Sequence, residues 1–316
     1  MPTASSDNRA NAAARRLDPV AVGAALRRLA GAPEAPWLHG EVAKRMAEKL
    51  ALILLKPERV IDWWSALGAG CALLAEAYPK AQQLRVEPGA AWVARSRADA
   101  QRPWWRAARW VGPVIEVASE ADDIAAGAGL VWANMMLHAV VDPVALIERW
   151  HGLLQVDGFV MFSCLGPGTL RELRSIYADA GWPSPTPGFI DMHDLGDMLV
   201  QAGFADPVMD QETLTLRWPN ASALLAELHS LGGNTAPDRI AGLRTPRWRA
   251  RLEAALGRLA AADGSIGLSF EIAYGHAFKA APRLRAGEAT TVSLDDMRAM
   301  IRSGSSLTPG KTGPLR

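Results

Sequence analysis

The apolar positions of this chain recur at two spacings, every second residue in short runs and every third or fourth in longer ones. The two alternate through its first half. Residues 59–62 (Arg-Val-Ile-Asp) read as a short buried strand and residues 83–87 as a second. Residues 114–117 and 129–133 are candidates for a third and a fourth, and Gly158 opens a fifth over Phe159, Val160, Met161, Phe162 and Ser163. Between them lie helical patterns. Residues 42–55 place Met46, Leu50, Ile53 and Leu54 on one face before Pro57 ends the run. Residues 65–77 read as a loop leading into a helix, and residues 90–100 as another. The Asp142-Pro143 pair predicts a helix start, because Asp accepts from free amides and Pro suits the first turn. Leu146, Ile147, Trp150, Leu153 and Leu154 follow as one stripe. Strands alternating with helices predict an α/β fold, a mainly parallel sheet covered by helices on both faces.

The second half has a different rhythm. Residues 191–202 predict a helix stopped by Gly203, residues 208–218 an alternating strand, and residues 266–278 a last strand. Two helices stand between those strands, over 221–231 and 246–262, the second capped by Thr245. They predict a helical lid, inserted over 219–263, across the open end of the sheet. Residues 1–17 read as a flexible leader, 18–280 as the domain and 281–316 as a tail, with a short helix over 293–301.

Composition narrows the function. With 34 Lys and Arg against 33 Asp and Glu the formal net charge is +1, which argues against a dedicated nucleic-acid binder. Two cysteines, Cys71 and Cys164, set up neither a disulfide framework nor a metal-ligand spacing. A reducing, cytoplasmic setting is expected. No apolar run reaches the roughly 18 residues of a membrane span.

In a doubly wound sheet, ligands bind at the carboxyl ends of the strands. The turn after the first strand lets backbone approach a ligand, and an acid ending the second can hold ribose hydroxyls. Glu87 ends that strand 19 residues past Gly68, about the separation this role needs.

Several motifs in order carry a family resemblance. They are Val131-Trp132-Ala133-Asn134-Met135-Met136-Leu137-His138, Ser163-Cys164-Leu165-Gly166-Pro167-Gly168-Thr169-Leu170, and Phe189-Ile190-Asp191-Met192-His193-Asp194-Leu195. Ala202-Gly203-Phe204 and Phe270-Glu271-Ile272-Ala273-Tyr274-Gly275-His276 complete the set. From Trp37 to Lys279 the chain resembles the BioC-like malonyl-acyl-carrier-protein O-methyltransferases, class I enzymes with a Rossmann-like seven-stranded sheet. The resemblance implies S-adenosylmethionine as cofactor, an acyl carrier protein as partner and a place in biotin synthesis. It implies cofactor contacts from Asp62, Ser65, Ala66, Gly68, Glu87 and Asn134, and substrate contacts from His138 and Arg244.

This chain departs from the family in its first motif, which reads roughly Asp-Leu-Gly-Cys-Gly-Thr-Gly. The ungapped match is Asp62-Trp63-Trp64-Ser65-Ala66-Leu67-Gly68, so Trp64 and Ala66 stand where glycines are expected; a gapped match would use Gly68-Ala69-Gly70 instead. Family geometry would force Trp64 into a backbone conformation suited to glycine. Either its indole swings out and the loop is rebuilt, or it fills the pocket and leaves a catalytically silent binding or assembly module. Ser119-Glu120-Ala121-Asp122-Asp123 is the nearest substitute for the family's adenine-side acid, and Ala30 to Pro36 replace a Tyr-containing segment. His138 is not needed as a base, since a malonyl carboxylate is already an anion and needs alignment. His193 and Asp194 read as a helix start rather than a metal site. Arg244, Arg247, Arg249 and Arg251 read as a solvated helix face, or as a docking surface for an acidic carrier protein or a carboxylate.

Overall fold

A computed structural model describes residues 17–100, 115–240 and 242–281. The expectations for the leader, for the tail beyond 281 and for the helix over 293–301 lie outside these residues. Two helices come first, α1 (Pro19–Ala30) and α2 (Trp37–Leu50). Then follow β1 (Arg59–Trp63), the single turn α3 (Ser65–Gly68), α4 (Cys71–Ala77), β2 (Gln82–Glu87) and α5 (Ala90–Ala100). Next come β3 (Ile115–Ser119), β4 (Ala128–Ala133), α6 (Pro143–Leu153), β5 (Leu154–Leu165), α7 (Arg171–Asp179) and α8 (Met192–Gln201). The chain closes with β6 (Ala205–Trp218), α9 (Ala221–Ser230), α10 (Pro246–Gly257) and β7 (Ile266–Phe278).

The seven strands run in the order β3-β2-β1-β4-β5-β7-β6. The first five pair in parallel, and β7 is antiparallel to both β5 and β6. This is the mainly parallel sheet the alternating pattern predicts. Period-two side chains divide its interior into two cores. Ile61, Trp63, Val131, Ala133, Val160 and Phe162 face one side with Ile147 and Trp150 of α6. Val60, Leu130, Trp132, Phe159 and Met161 face the other with Leu38, Val42 and Met46 of α2. That second side also takes in Leu224 of α9 and Leu252 and Leu256 of α10, the two helices between β6 and β7.

Local chemistry explains the element ends. Asp142 Oδ1 accepts from Ala145 N at 3.0 Å, Asp191 Oδ1 from His193 N at 2.8 Å, and Thr245 Oγ1 from Trp248 N at 3.2 Å. Gly203, at φ 96°, closes α8 in the left-handed region. The helix expected over 42–55 instead spans Trp37–Leu50. Leu50 is its last buried position, and Leu54 is 93% exposed, so the apolar run after Leu50 is the connection to β1 rather than a helix face. Helix α1 escaped the sequence reading although Asp18-Pro19 repeats the Asp142-Pro143 signal; Asp18 Oδ1 accepts from Val20 N at 2.9 Å.

Candidate cofactor and substrate site

The site is built at the carboxyl ends of β1, β2 and β4. β1 ends at Trp63, and the backbone of the next residue, Trp64, lies in the left-handed region at φ 55° and ψ 47°. For a residue with a side chain this costs about 1–2 kcal/mol, a cost a glycine would avoid. The strain falls on the residue that the ungapped match sets against the family's first glycine. The indole is buried, 3% exposed, and its Nε1–H donates to Glu120 Oε2 at 2.7 Å. Glu120 follows β3, and β2 lies between β1 and β3 in the sheet, so the indole reaches across the carboxyl end of β2. Arg149 of α6 fixes the far post: its guanidinium lies 5.2 Å over the Trp63 ring and donates to the carbonyls of Glu120 and Asp122.

Beneath that span is Glu87, fully buried at the end of β2. Its Oε1 accepts from Ala66 N at 3.0 Å and from the Ser96 hydroxyl. Its Oε2 is buried without a hydrogen-bond partner among the described residues. Burial lifts the carboxyl to about 7, against the opposing pull of those two donors. Asp62 is arranged similarly: Oδ2 accepts from the Ser65 hydroxyl at 2.5 Å, Oδ1 has no hydrogen-bond partner among the described residues, and burial lifts the group to about 6. The Ser65 hydroxyl also lies 3.0 Å from Cys71 Sγ, and burial pushes that thiol up to about 11. Cys71 is therefore a protonated thiol packed under the loop.

On the other side of the loop, Asn134 is a buried brace. Its Nδ2 donates to Gly68 O at 2.6 Å and to His39 O at 2.8 Å, while its Oδ1 accepts from the Ser163 hydroxyl at 2.6 Å. A side chain at Gly68 would come within 3.3 Å of the Asn134 carbonyl, so the loop and the end of β4 are in close contact there. His39 Nδ1 lies 2.9 Å from Leu67 O, and burial lowers its ring to about 4, leaving it neutral.

Next to this brace opens a chamber of about 150 Å³. Leu67, Met135, His39 and His138 line its sheet end, and Leu29, Leu228, Phe189 and Phe270 are among its apolar walls. His138 Nδ1 accepts from Leu165 N at 3.4 Å, and its ring meets Phe189 edge-on at 6.3 Å. The structure thus gathers Asp62, Ser65, Ala66, Gly68, Glu87 and Asn134 around one loop and sets His138 in the adjoining chamber. Arg244 is elsewhere, in an outer cleft, with its guanidinium 4.5 Å over the Trp248 ring. Asn134 holds the loop rather than lining the chamber. Sequence reasoning missed His39, whose only signal was its place beside the Leu38, Val42, Met46 stripe of α2.

No protein-family model matches the chain. A malonyl-acyl-carrier-protein O-methyltransferase of Laribacter hongkongensis is 37% identical over 270 residues, covering 84% of this chain and 88% of that protein. The enzyme of the same name from Gallionella capsiferriformans is 37% identical over 251 residues, covering 78% and 86%. The chain belongs to the malonyl-acyl-carrier-protein O-methyltransferase family. Among solved structures, the YcgJ protein of Bacillus subtilis superposes with a TM-score of 0.51 at 9% identity, covering 75% of this chain and 99% of that one. A Bacillus halodurans protein described as a methyltransferase gives a TM-score of 0.50 at 12% identity, covering 75% and 100%. The fold is the Rossmann-like class I methyltransferase fold.

The cofactor of such enzymes is S-adenosylmethionine, and the donor set here fits its ribose. Glu87 ends β2 with one carboxyl oxygen buried and unpartnered among the described residues, able to accept from a hydroxyl. The misfit at this strand end is the Trp64 indole, which lies across it in this conformation. A ribose bound at Glu87 therefore requires the indole to move aside.

Proposed function

We propose that this protein is a cytoplasmic S-adenosylmethionine-dependent O-methyltransferase that esterifies the free carboxylate of a malonyl group carried by an acyl carrier protein, in biotin synthesis. The observation that carries this reading is the apolar chamber, which meets the cofactor loop at Leu67 and the segment after β4 at Met135, and holds His138 at the same end. When bound, the cofactor supplies an electrophilic methyl group. The residues of this chain contribute position and dryness. Glu87 is the group that would hold the ribose hydroxyls, and the Ala66 amide ties the loop to its carboxyl. The Asn134 brace fixes Gly68 and His39 relative to β4, and the chamber walls exclude water from an anionic nucleophile. No proton has to be removed from a carboxylate, so the neutral His39 and the hydrogen-bonded His138 serve as walls.

A second reading, a silent member of the same family, rests on Trp64 alone: its left-handed backbone and its bond to Glu120 close the ribose side. Family membership favours the enzyme. Calorimetric titration with S-adenosylhomocysteine separates the two. Saturable binding in the micromolar range supports the enzyme. Absence of heat in the wild type, restored by Trp64→Gly with Ala66→Gly, establishes the silent protein.

A further inference from the structure

The chamber does not end at its apolar walls. Ala25, Leu173, Leu228, Gly232 and Asn234 line both it and a second, outer cleft of about 520 Å³, so the two hollows share a neck between α1, α7 and α9. The outer cleft has a different chemistry. Arg28, His229, Arg239 and Arg244 lie on its walls, and among the described residues no Asp or Glu does. Arg239 is paired with Asp18 at 2.6 Å. Arg28 donates to the Gly232 carbonyl, and Arg244 stacks on Trp248, so neither has a carboxylate partner among the described residues. Both are exposed. An apolar chamber behind a neck, with a cationic rim outside, is the shape required by a ligand that is a long arm on a negatively charged body.

We propose that this cleft is the docking mouth for an acidic carrier protein. Arg28 and Arg244 meet the acidic surface and the arm's phosphate, and the neck at Ala25, Leu173 and Leu228 threads the acyl arm to His138 and Met135. The inference rests on the methyltransferase reading for the identity of the acyl group. It needs no bound cofactor, so its test stands apart from that reading.

The experiment titrates the full chain with malonyl-loaded acyl carrier protein and, separately, with malonyl-pantetheine, the arm without its protein. Arg28→Glu with Arg244→Glu is expected to weaken carrier binding by about tenfold or more, as raised salt does for the wild type, since exposed opposite charges act within about 10 Å at 0.1 M salt. The same variant keeps malonyl-pantetheine affinity within about twofold, because that probe seats beyond the rim. Leu228→Trp, which narrows the neck, weakens both probes while circular dichroism and melting stay native. Carrier binding unchanged by charge reversal, or malonyl-pantetheine binding unchanged by a folded Leu228→Trp, would overturn the assignment. So would failure of the wild type to bind the carrier at all.

Discussion

Trp64→Gly tests the cofactor loop in two opposed ways. The indole is 3% exposed and holds one hydrogen bond to Glu120, so its removal resembles other large-to-small core changes, which cost about 3–5 kcal/mol. Glycine returns part of that, about 1–2 kcal/mol, because the position sits at φ 55°. The net loss is about 1–4 kcal/mol, or roughly 2–16 °C in Tm for a domain of this size. Ligand affinity moves the other way. If the ribose can enter only after the indole leaves, the wild type binds with its intrinsic affinity reduced by the fraction of open molecules. An opening cost of about 3 kcal/mol makes that fraction about one in a hundred. S-adenosylhomocysteine should therefore bind Trp64→Gly about a hundredfold more tightly than the wild type, while the variant without ligand melts lower. Calorimetry and thermal melts with and without the ligand read both quantities. Equal affinities in the two proteins would refute the placement of the indole in the ribose site, and an unchanged Tm would refute its place in the core.

Three further outcomes follow from neighbouring groups. Asn134→Ala removes three buried hydrogen bonds and leaves the Gly68 and His39 carbonyls and the Ser163 hydroxyl without that partner; a loss of about 3 kcal/mol, read by urea unfolding, is expected. Glu87 binds its proton more tightly folded, at about 7 against 4.5 unfolded, so the native state holds the extra proton between those values. Its share of stability is retained at acidic pH and lost as pH rises from 4.5 to 7, whereas Glu87→Gln lacks that dependence. Melts of the two proteins at pH 5 and pH 8 should show the wild type losing stability relative to the variant, and a parallel response would show that Glu87 titrates normally. His138→Ala should lower kcat by less than about tenfold with no change in its pH profile, because the carboxylate nucleophile needs no base; loss of a basic limb in that profile would assign the ring a chemical role.

Much of the fold was legible because each strand carries its own period. Ala90–Ala100 and Ile266–Phe278 fall where the pattern predicts them, and Asp142, Asp191 and Thr245 cap the helices they precede. The pattern failed where apolar residues are contiguous. The run after Leu50 has no period to read; α7 escaped for another reason, since it follows Leu170, which has a positive φ and no side-chain cap bond, and so lacks a local start signal. The candidate site divides in the same way. Glu87 and the loop could be found because strand ends and glycine spacings are local. The Asn134 brace joins Gly68, His39 and Ser163 from four separate segments, and the neck between the two hollows joins three helices distant in sequence.

The two tryptophans at the end of β1 show how far a local departure can be interpreted. Alternation sends Trp63 into the core, edge-on to Trp150 at 6.2 Å, where a large apolar residue is ordinary. Trp64, one residue later, lies past the strand, and only its tertiary partner decides its meaning. That partner is Glu120, from the segment that the sequence offers as the nearest substitute for the adenine-side acid. The two departures from the family pattern therefore bond to each other. A loop that had merely drifted would leave the indole exposed, or leave Glu120 without a matching donor. Here the indole N–H neutralises part of the acid's need for a donor, and Arg149 fixes the carbonyls on either side of Ala121. Glu120→Gln weakens this clasp without opening a cavity, since it keeps the acceptor oxygen and removes only the charge. If the pair acts as a clasp over the ribose site, Glu120→Gln should tighten S-adenosylhomocysteine binding by about three- to tenfold, less than Trp64→Gly, with Tm nearly unchanged. Weaker binding in Glu120→Gln would mean instead that Glu120 itself contacts the cofactor.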